Sequence, residues 1–283
     1  MAPRVWLITG CSSGFGEAFV HEILRRGDKV IATARNPQSI QALASAGAHT
    51  LAFDVSASVQ EIDSTVRTAL DVYGQIDVFL SNAGYVHTGG VEETKPEEDQ
   101  EVFMTNVFGA LNVARAVLPS MRARKSGTIV FISSMAGWAG SATLGAYGAS
   151  KAALSMYAEA LRDEVAEFGI QVGAIEPGGF RSNLLGSKNM KSPSRHIEDY
   201  DNSKVRATQA QVGQLDQKQP GDVRKGINVM LDIITGTGAA EGKRLPGRVI
   251  VGSDAYQVVR SVCENHIKTI DDWKSIVTQT DHE

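Results

Sequence analysis

The sequence predicts one α/β domain spanning residues 1–283, a parallel sheet wound on both faces by helices. Three observations carry that prediction. Short apolar runs alternate strictly with stretches of helical periodicity along most of the chain. The runs are apolar at successive positions, not at every second one, which places them in strands covered on both faces. The helical stretches between them supply the crossovers that parallel strands require, and right-handed crossovers give a doubly wound sheet.

Taken in order, Val5–Thr9 reads as a buried strand and Phe15–Arg26 as a helix with Phe19, Ile23 and Leu24 on one side. Val30–Ala34 is a second strand, ended by Asn36-Pro37, and Thr50–Phe53 a third. An amphipathic helix over Val59–Tyr73 leads to a fourth strand at Val78–Leu80. A long helical stretch runs from Glu97 to Arg124 with a break expected near Gly109. Thr128–Ile132 is the fifth strand, Ala146–Phe168 a helix and Gln171–Ile175 the sixth strand. Periodicity then collapses from Ser182 to Gly221, a polar segment too long for a simple connection and therefore expected to be a substrate lid that orders with ligand. A helix at Val223–Ile234, an edge strand at Arg248–Val251 and a last helix from Asp254 to Trp273 complete the chain.

Composition narrows the function. Hydrophobic residues at 42% and charged residues at 21% are those of a globular protein. A net charge of -4 gives no basic surface for nucleic acid, and the short Arg122–Lys125 run suits a helix C-terminus. Two distant cysteines cannot form a disulfide framework, and the six histidines are scattered, so no metal site is expected. No basic leader precedes Val5, and no apolar stretch reads as long enough for a membrane span, so no membrane association and a cytoplasmic location are expected.

Between the first strand and the first helix lies Thr9-Gly10-Cys11-Ser12-Ser13-Gly14-Phe15-Gly16. Glycines at a strand-to-helix turn let backbone N–H groups approach a pyrophosphate, which the helix N-terminus then favours. Such a turn makes the sheet Rossmann-type and predicts a bound dinucleotide. At the end of the second strand stands Arg35, with no carboxylate beside it. An acidic residue there would accept from a ribose hydroxyl, whereas a guanidinium fork matches a phosphate, so NADP(H) is favoured over NAD(H).

Tyr147 and Lys151 are four apart on one helix, hence on one face. An ammonium near a phenol favours the phenolate and lowers its pKa towards working pH, which suits Tyr147 to proton transfer. At this point the sequence resembles the short-chain dehydrogenase/reductase family. The resemblance rests on Thr9–Gly16, Asp54-Val55, Asn82-Ala83-Gly84, Asn106, Ser133-Ser134, Tyr147/Lys151 and Pro177-Gly178, in that order over roughly residues 4–180. Ser81 departs from the family only at the outer edge of its fourth-strand motif.

The resemblance implies a role for each residue. Ser134, thirteen before Tyr147, would hydrogen-bond the substrate oxygen, with Ser133 one position out of register. Tyr147 would be the acid/base, Lys151 would hold the nicotinamide ribose and tune Tyr147, and Asn106 would anchor a water beside Lys151. Thr9, Gly10, Ser12, Ser13, Gly14, Phe15 and Gly16 would hold the pyrophosphate. Asp54 and Val55 would contact adenine, Asn82, Ala83 and Gly84 would line the cofactor floor, and Pro177 and Gly178 would flank the nicotinamide. Segments expected at the substrate end are Tyr85-Val86-His87, Met135–Trp138, Leu144, Gly179-Phe180 and Leu184-Leu185, with His87 read as a solvated loop residue. They are mostly apolar, which points to a hydrophobic or aromatic carbonyl or alcohol as the small-molecule substrate. The alanines at 149, 152, 153, 158 and 160 permit close helix contact, and by resemblance a homodimer or homotetramer is expected. Dehydration or isomerisation on the same fold is the alternative chemistry, and a silent nucleotide sensor the alternative class.

Overall fold

In the computed structural model, which describes residues 2–186 and 189–282, all the main predicted elements form. In chain order they are β1 (Val5–Ile8), α1 (Gly14–Arg25), β2 (Lys29–Ala34), the short α2 (Gln41–Ser45), β3 (His49–Ala52), α3 (Val59–Tyr73) and β4 (Val78–Ser81). Then come β5 (Val86–His87), α4 (Pro96–Phe103), α5 (Ala110–Arg124), β6 (Gly127–Ile132), α6 (Gly145–Val165) and β7 (Ile170–Pro177). The last are β8 (Met190–Lys191), α7 (Lys204–Gln214), α8 (Val223–Thr235), β9 (Arg248–Val251) and α9 (Ser253–Val277). Seven strands pair in parallel in the order β3-β2-β1-β4-β6-β7-β9.

Successive residues of β1 feed opposite cores, as the strand period demands: Val5 and Leu7 pack with α3, α5 and α6, while Trp6 and Ile8 pack with α1 and α8. Helix ends are set locally. A Ser58/Glu61 capping box opens α3 and Gly74, at φ +79°, closes it. The chain leaves β1 in one direction and β4 in the other, so a crevice opens beyond their carboxyl ends.

Three features differ from the sequence reading. The long helix is not broken at Gly109; it passes through a π-helical turn at Met104–Gly109 between α4 and α5. Gly109 lies so near β3's exit that a Cβ there would stand 2.5 Å from the Val55 carbonyl oxygen. Second, the combined helix Pro96–Arg124 does meet the length and hydropathy of a membrane span, with 56% of its most apolar window buried inside the fold. Its apolar side chains, among them Val107, Leu111, Val113 and Val117, are in the core. Third, the Ser182–Gly221 segment, of which residues 187 and 188 lie outside the described residues, is not featureless.

Within that segment β8 pairs with β5, and α7 is anchored by Arg206, whose guanidinium grips the buried Glu93 carboxylate and also reaches Asp201. Glu93 further accepts the backbone N–H groups of Gly90 and Ile197, which hold its pKa down at about 2 together with Arg206. Removing one member of so buried a pair strands the other. Arg206→Ala is therefore expected to expose the 195–215 region to limited proteolysis and to lower the thermal midpoint; resistance equal to wild type would refute the anchor.

Candidate active site

The glycine turn is locked to β4 by side chains. Thr9 Oγ1 accepts the N–H groups of Asn82 and Ala83, both at 3.1 Å, and Asn82 Nδ2 donates to the carbonyls of Thr9 and Gly10, both at 3.0 Å. Gly10 takes φ +72°, and a Cβ there would lie 2.8 Å from Ala83 Cα. At Gly16 a Cβ would fall 2.2 Å from the Gly10 carbonyl, so the helix can start against the turn only as glycine. Gly16→Ala is expected to cost about 1–3 kcal/mol of stability through this overlap, read as a lowered denaturation midpoint. Ser13 caps α1 in extended conformation without a side-chain hydrogen bond to the helix, and Gly14 follows at φ +62°. The first-turn N–H groups of α1 are thus not capped by the protein, as an anion site needs.

Gly10, Ser12, Ser13, Gly14 and Phe15 line one end of a cleft of about 450 Å³, together with Ala34, Arg35, Asp54 and Val55, while Thr9 and Gly16 are buried off it. Arg35 is exposed at the end of β2 and forms no salt bridge among the described residues. Asp54 is exposed and its Oδ1 accepts the Ser56 N–H at 2.9 Å, while Val55 is buried. Pro177 and Gly178 close the cleft at the end of β7. Asp254, in the first turn of α9, clamps them: its Oδ2 accepts the Gly179 N–H at 2.7 Å, and a Cβ on Gly178 would strike Oδ1 at 2.2 Å.

At the other end Ser134, Tyr147 and Lys151 line the same cleft. Ser134 leaves β6 in extended conformation, its Oγ accepts the Ala136 N–H at 3.1 Å, and its hydroxyl is near enough to the Tyr147 phenol to favour the ionised form. Tyr147 and Lys151 are both buried, one turn apart on α6. Lys151 Nζ donates to the Ile132 carbonyl at 2.9 Å and lies 5.7 Å from the Tyr147 ring centre. Burial pushes the Lys151 ammonium down to about 8. For Tyr147 the expectation of a lowered pKa does not hold in this structure: burial pushes the phenol up, and the nearby Ser134 hydroxyl only partly opposes it.

Asn106 sits in the π turn, wholly buried. Its Oδ1 accepts the Tyr85 N–H at 3.1 Å, and its Nδ2 donates to the Tyr85 carbonyl at 3.0 Å and to Ser150 Oγ at 3.1 Å. Through these bonds the Asn106 side chain fastens the Asn82–Tyr85 loop to α6. Gly84 lies between them, where a Cβ would be 3.0 Å from Asn106 Oδ1 and 3.5 Å from Lys151 Nζ.

Comparison with known proteins agrees with this geometry. The short chain dehydrogenase family model matches residues 4–193. The chain belongs to the short-chain dehydrogenase family. An oxidoreductase of Botryotinia fuckeliana, BOA17, is 31% identical over 276 residues, 96% of this chain and 97% of that protein. A 3-ketodihydrosphingosine reductase of Bacteroides thetaiotaomicron is 36% identical over 208 residues, covering 73% of this chain and 75% of the other. A short-chain dehydrogenase from Streptomyces avermitilis superposes with a TM-score of 0.89 at 35% identity, covering 99% of both chains.

In this short-chain dehydrogenase the substrate end is more polar than its sequence implies. Tyr85 and Leu184 line the cleft, but so do Asn189, Lys191 and Glu101. Lys191 Nζ bonds Glu101 at 3.1 Å and stands 4.6 Å from the Tyr85 ring centre. Several residues expected there face elsewhere. Phe180 is buried edge-on to Phe15 at 5.3 Å and abuts Gly221 and Gly226. His87 is not solvated; β5–β8 pairing buries it, its Nε2 lies 3.3 Å from Thr94 Oγ1, and burial lowers its pKa. Trp138 turns back to the sheet, its indole N–H donating to Glu176 at 2.7 Å. Glu176 was missed by sequence reasoning, although a lone carboxylate inside the otherwise apolar Ile170–Pro177 run was a signal that buried partners must exist.

Proposed function

We propose that this dehydrogenase interconverts a carbonyl and an alcohol with NADP(H) on a hydrophobic or aromatic small molecule. The observation that carries this reading is the convergence of Ser134, Tyr147 and Lys151 at one end of a cleft whose other end is an uncapped helix N-terminus. The glycine turn fits a pyrophosphate, because it brings the start of α1, left without a side-chain cap, to the cleft, while Gly10 and Gly16 let the turn pack against Ala83 and Asn82. Arg35 beside it fits an added ribose phosphate.

When bound, the nicotinamide supplies or accepts the hydride. The remaining work is the protein's. In reduction Tyr147 Oη holds the proton that passes to the substrate oxygen, and Ser134 Oγ donates a hydrogen bond to that same oxygen. Lys151 holds the ribose hydroxyls, and its ammonium steadies negative charge arising on Tyr147. In oxidation the same proton returns to Tyr147. Simple redox is favoured over dehydration or isomerisation because this set suffices for it, and a silent sensor would need none of it.

The apolar substrate class is supported by Tyr85, Met104 and Leu184 in the cleft and by the relative named for reducing a keto compound, 3-ketodihydrosphingosine. A homo-oligomer is part of the same reading, supported by the exposed Met156 and Tyr157 on α6; an elution volume of one subunit at every concentration would oppose it.

The test is titration with NADPH and NADH, followed by protein fluorescence, for wild type and Arg35→Asp. Loss of a charge-assisted phosphate contact of about 1.5–3 kcal/mol is expected to weaken NADPH binding about 10- to 100-fold, with NADH binding improved. Equal NADPH affinity in both proteins would refute the NADP(H) preference. Failure of wild type to bind either nucleotide would refute the oxidoreductase reading itself.

A further inference from the structure

Beside the proposed catalytic groups lies a buried charge that their chemistry does not use. Glu176 is wholly buried at the end of β7, one residue before Pro177. Its Oε1 accepts from Ser155 Oγ at 2.6 Å and Arg248 Nε at 2.9 Å, and its Oε2 from Trp138 Nε1 at 2.7 Å. Ser155 Oγ lies 2.9 Å from Ser133 Oγ, which in turn donates to the Lys151 carbonyl at 2.8 Å. The Arg248 guanidinium covers the Trp138 ring at 4.2 Å. One carboxylate thus joins the end of β6, the turn after Ser134, α6, β7 and β9.

We propose that Glu176 is a positioning residue, which holds α6 and the Ser134–Trp138 turn in the register that brings Ser134, Tyr147 and Lys151 onto one substrate oxygen. The inference rests on the carbonyl–alcohol reading above. Tyr147, Lys151 and Ser155 follow one another at four-residue intervals, so they form a single stripe on α6. Two of them face the cleft, and the third bolts the stripe to the sheet. Ser133 and Ser134 both reach the cleft lining but divide their tasks: Ser134 is partly exposed there, and the buried Ser133 gives its hydroxyl proton to the Lys151 carbonyl.

Charge makes this bolt stiff. Bonds to a carboxylate are roughly twice as strong as neutral ones, and every partner of Glu176 is a donor. An amide at this position would set an N–H against Ser155, Arg248 or Trp138 whichever way it turned. A buried ion pair is an uneconomical way to gain stability alone, since well-packed apolar residues of similar volume serve as well or better. Fixed geometry is what the carboxylate adds. Misplacement of reacting groups by about 1 Å can cost on the order of 100-fold in rate.

The test compares wild type with Glu176→Gln, Ser155→Ala and the doubly apolar Glu176→Met/Arg248→Met. Measured quantities are kcat and KM for a ketone with NADPH, NADPH affinity, thermal midpoint and amide hydrogen exchange over residues 147–155. For Glu176→Gln a kcat loss of about 10- to 100-fold is expected, with KM and NADPH affinity within twofold and faster exchange along that stretch. The doubly apolar variant is expected to regain the wild-type thermal midpoint but not kcat. Should Glu176→Gln fail to fold, Ser155→Ala carries the same expectation with a smaller kcat loss. Unchanged kcat in the folded variants would overturn the proposal, as would unchanged exchange, or a kcat restored together with the midpoint in the apolar pair. Wild type that reduces no carbonyl would instead sink the functional reading, while the exchange comparison would still decide whether Glu176 positions α6.

Discussion

Tyr147→Phe is expected to lower turnover by about 100- to 10,000-fold while NADPH binds as tightly as to wild type. The substitution removes one oxygen and leaves the ring packed in its buried site on α6. What disappears is the phenol's titratable proton, placed beside the Ser134 hydroxyl. Burial favours the neutral phenol, so the proton needed for reduction is present on Tyr147, though held more firmly than on a solvated phenol. Acting as a base in oxidation requires charge to be steadied nearby, which is the part assigned to Lys151. Single-turnover rates of nicotinamide oxidation measured alongside nucleotide affinity separate the two properties. A Phe variant that keeps most of its activity would leave the fold intact and the proposed chemistry wrong.

Lys151→Met is expected to lose turnover by at least about 100-fold and yet to be more stable near neutral pH. Burial depresses the folded-state pKa of Lys151 from 10.5 to about 8, and no compensating anion opposes that burial. The difference corresponds to about 3 kcal/mol of destabilisation wherever the group is charged in both states, that is below about 8. Losing the bond to the Ile132 carbonyl returns about 1 kcal/mol of that, for a net gain of about 2 kcal/mol at pH 7. Between about 8 and 10.5 the unfolded chain binds more protons than the folded one, so this group makes wild-type stability rise with pH. The advantage of the variant should therefore shrink across that window and vanish by its upper end. Denaturant midpoints at pH 7 and pH 10 check this directly, and an equal difference at both would refute it. Over the same window the reductive rate of wild type is expected to decline as the ammonium is lost.

Much of the architecture was legible because parallel strands buried on both faces leave unbroken apolar runs. Val5–Ile8, Val78–Leu80 and the stretch 172–175 announce themselves in this way, and the glycines of the first turn mark the cleft. What escaped has no local period to read. Helix α7 buries none of its residues fully and is tethered through Arg206 to Glu93, more than a hundred positions away. The two-residue strands β5 and β8 are shorter than any alternation, yet their pairing buries His87. Apolar character at the cleft end was visible in Phe180 and Trp138, but character does not give direction. Phe180 turned to Phe15, and Trp138 turned to a carboxylate on the neighbouring strand. Asn106 was found by resemblance, and only the folded chain reveals that its amide is occupied by Tyr85 and Ser150.

The strand order has a consequence in time. β1, which precedes every other strand of its sheet in the chain, lies between β2 and β4, and the bonds that lock its glycine turn come from Asn82, 73 positions later. The opposite wall waits longer still, since β7 gains its outer neighbour only with β9, and Asp254 clamps Gly179 across 75 residues. A nascent chain halted before Asp254 would carry every proposed catalytic side chain and still lack the clamp behind Pro177-Gly178. Nucleotide binding by such arrested chains should appear late and abruptly, once Asp254 has cleared the exit tunnel.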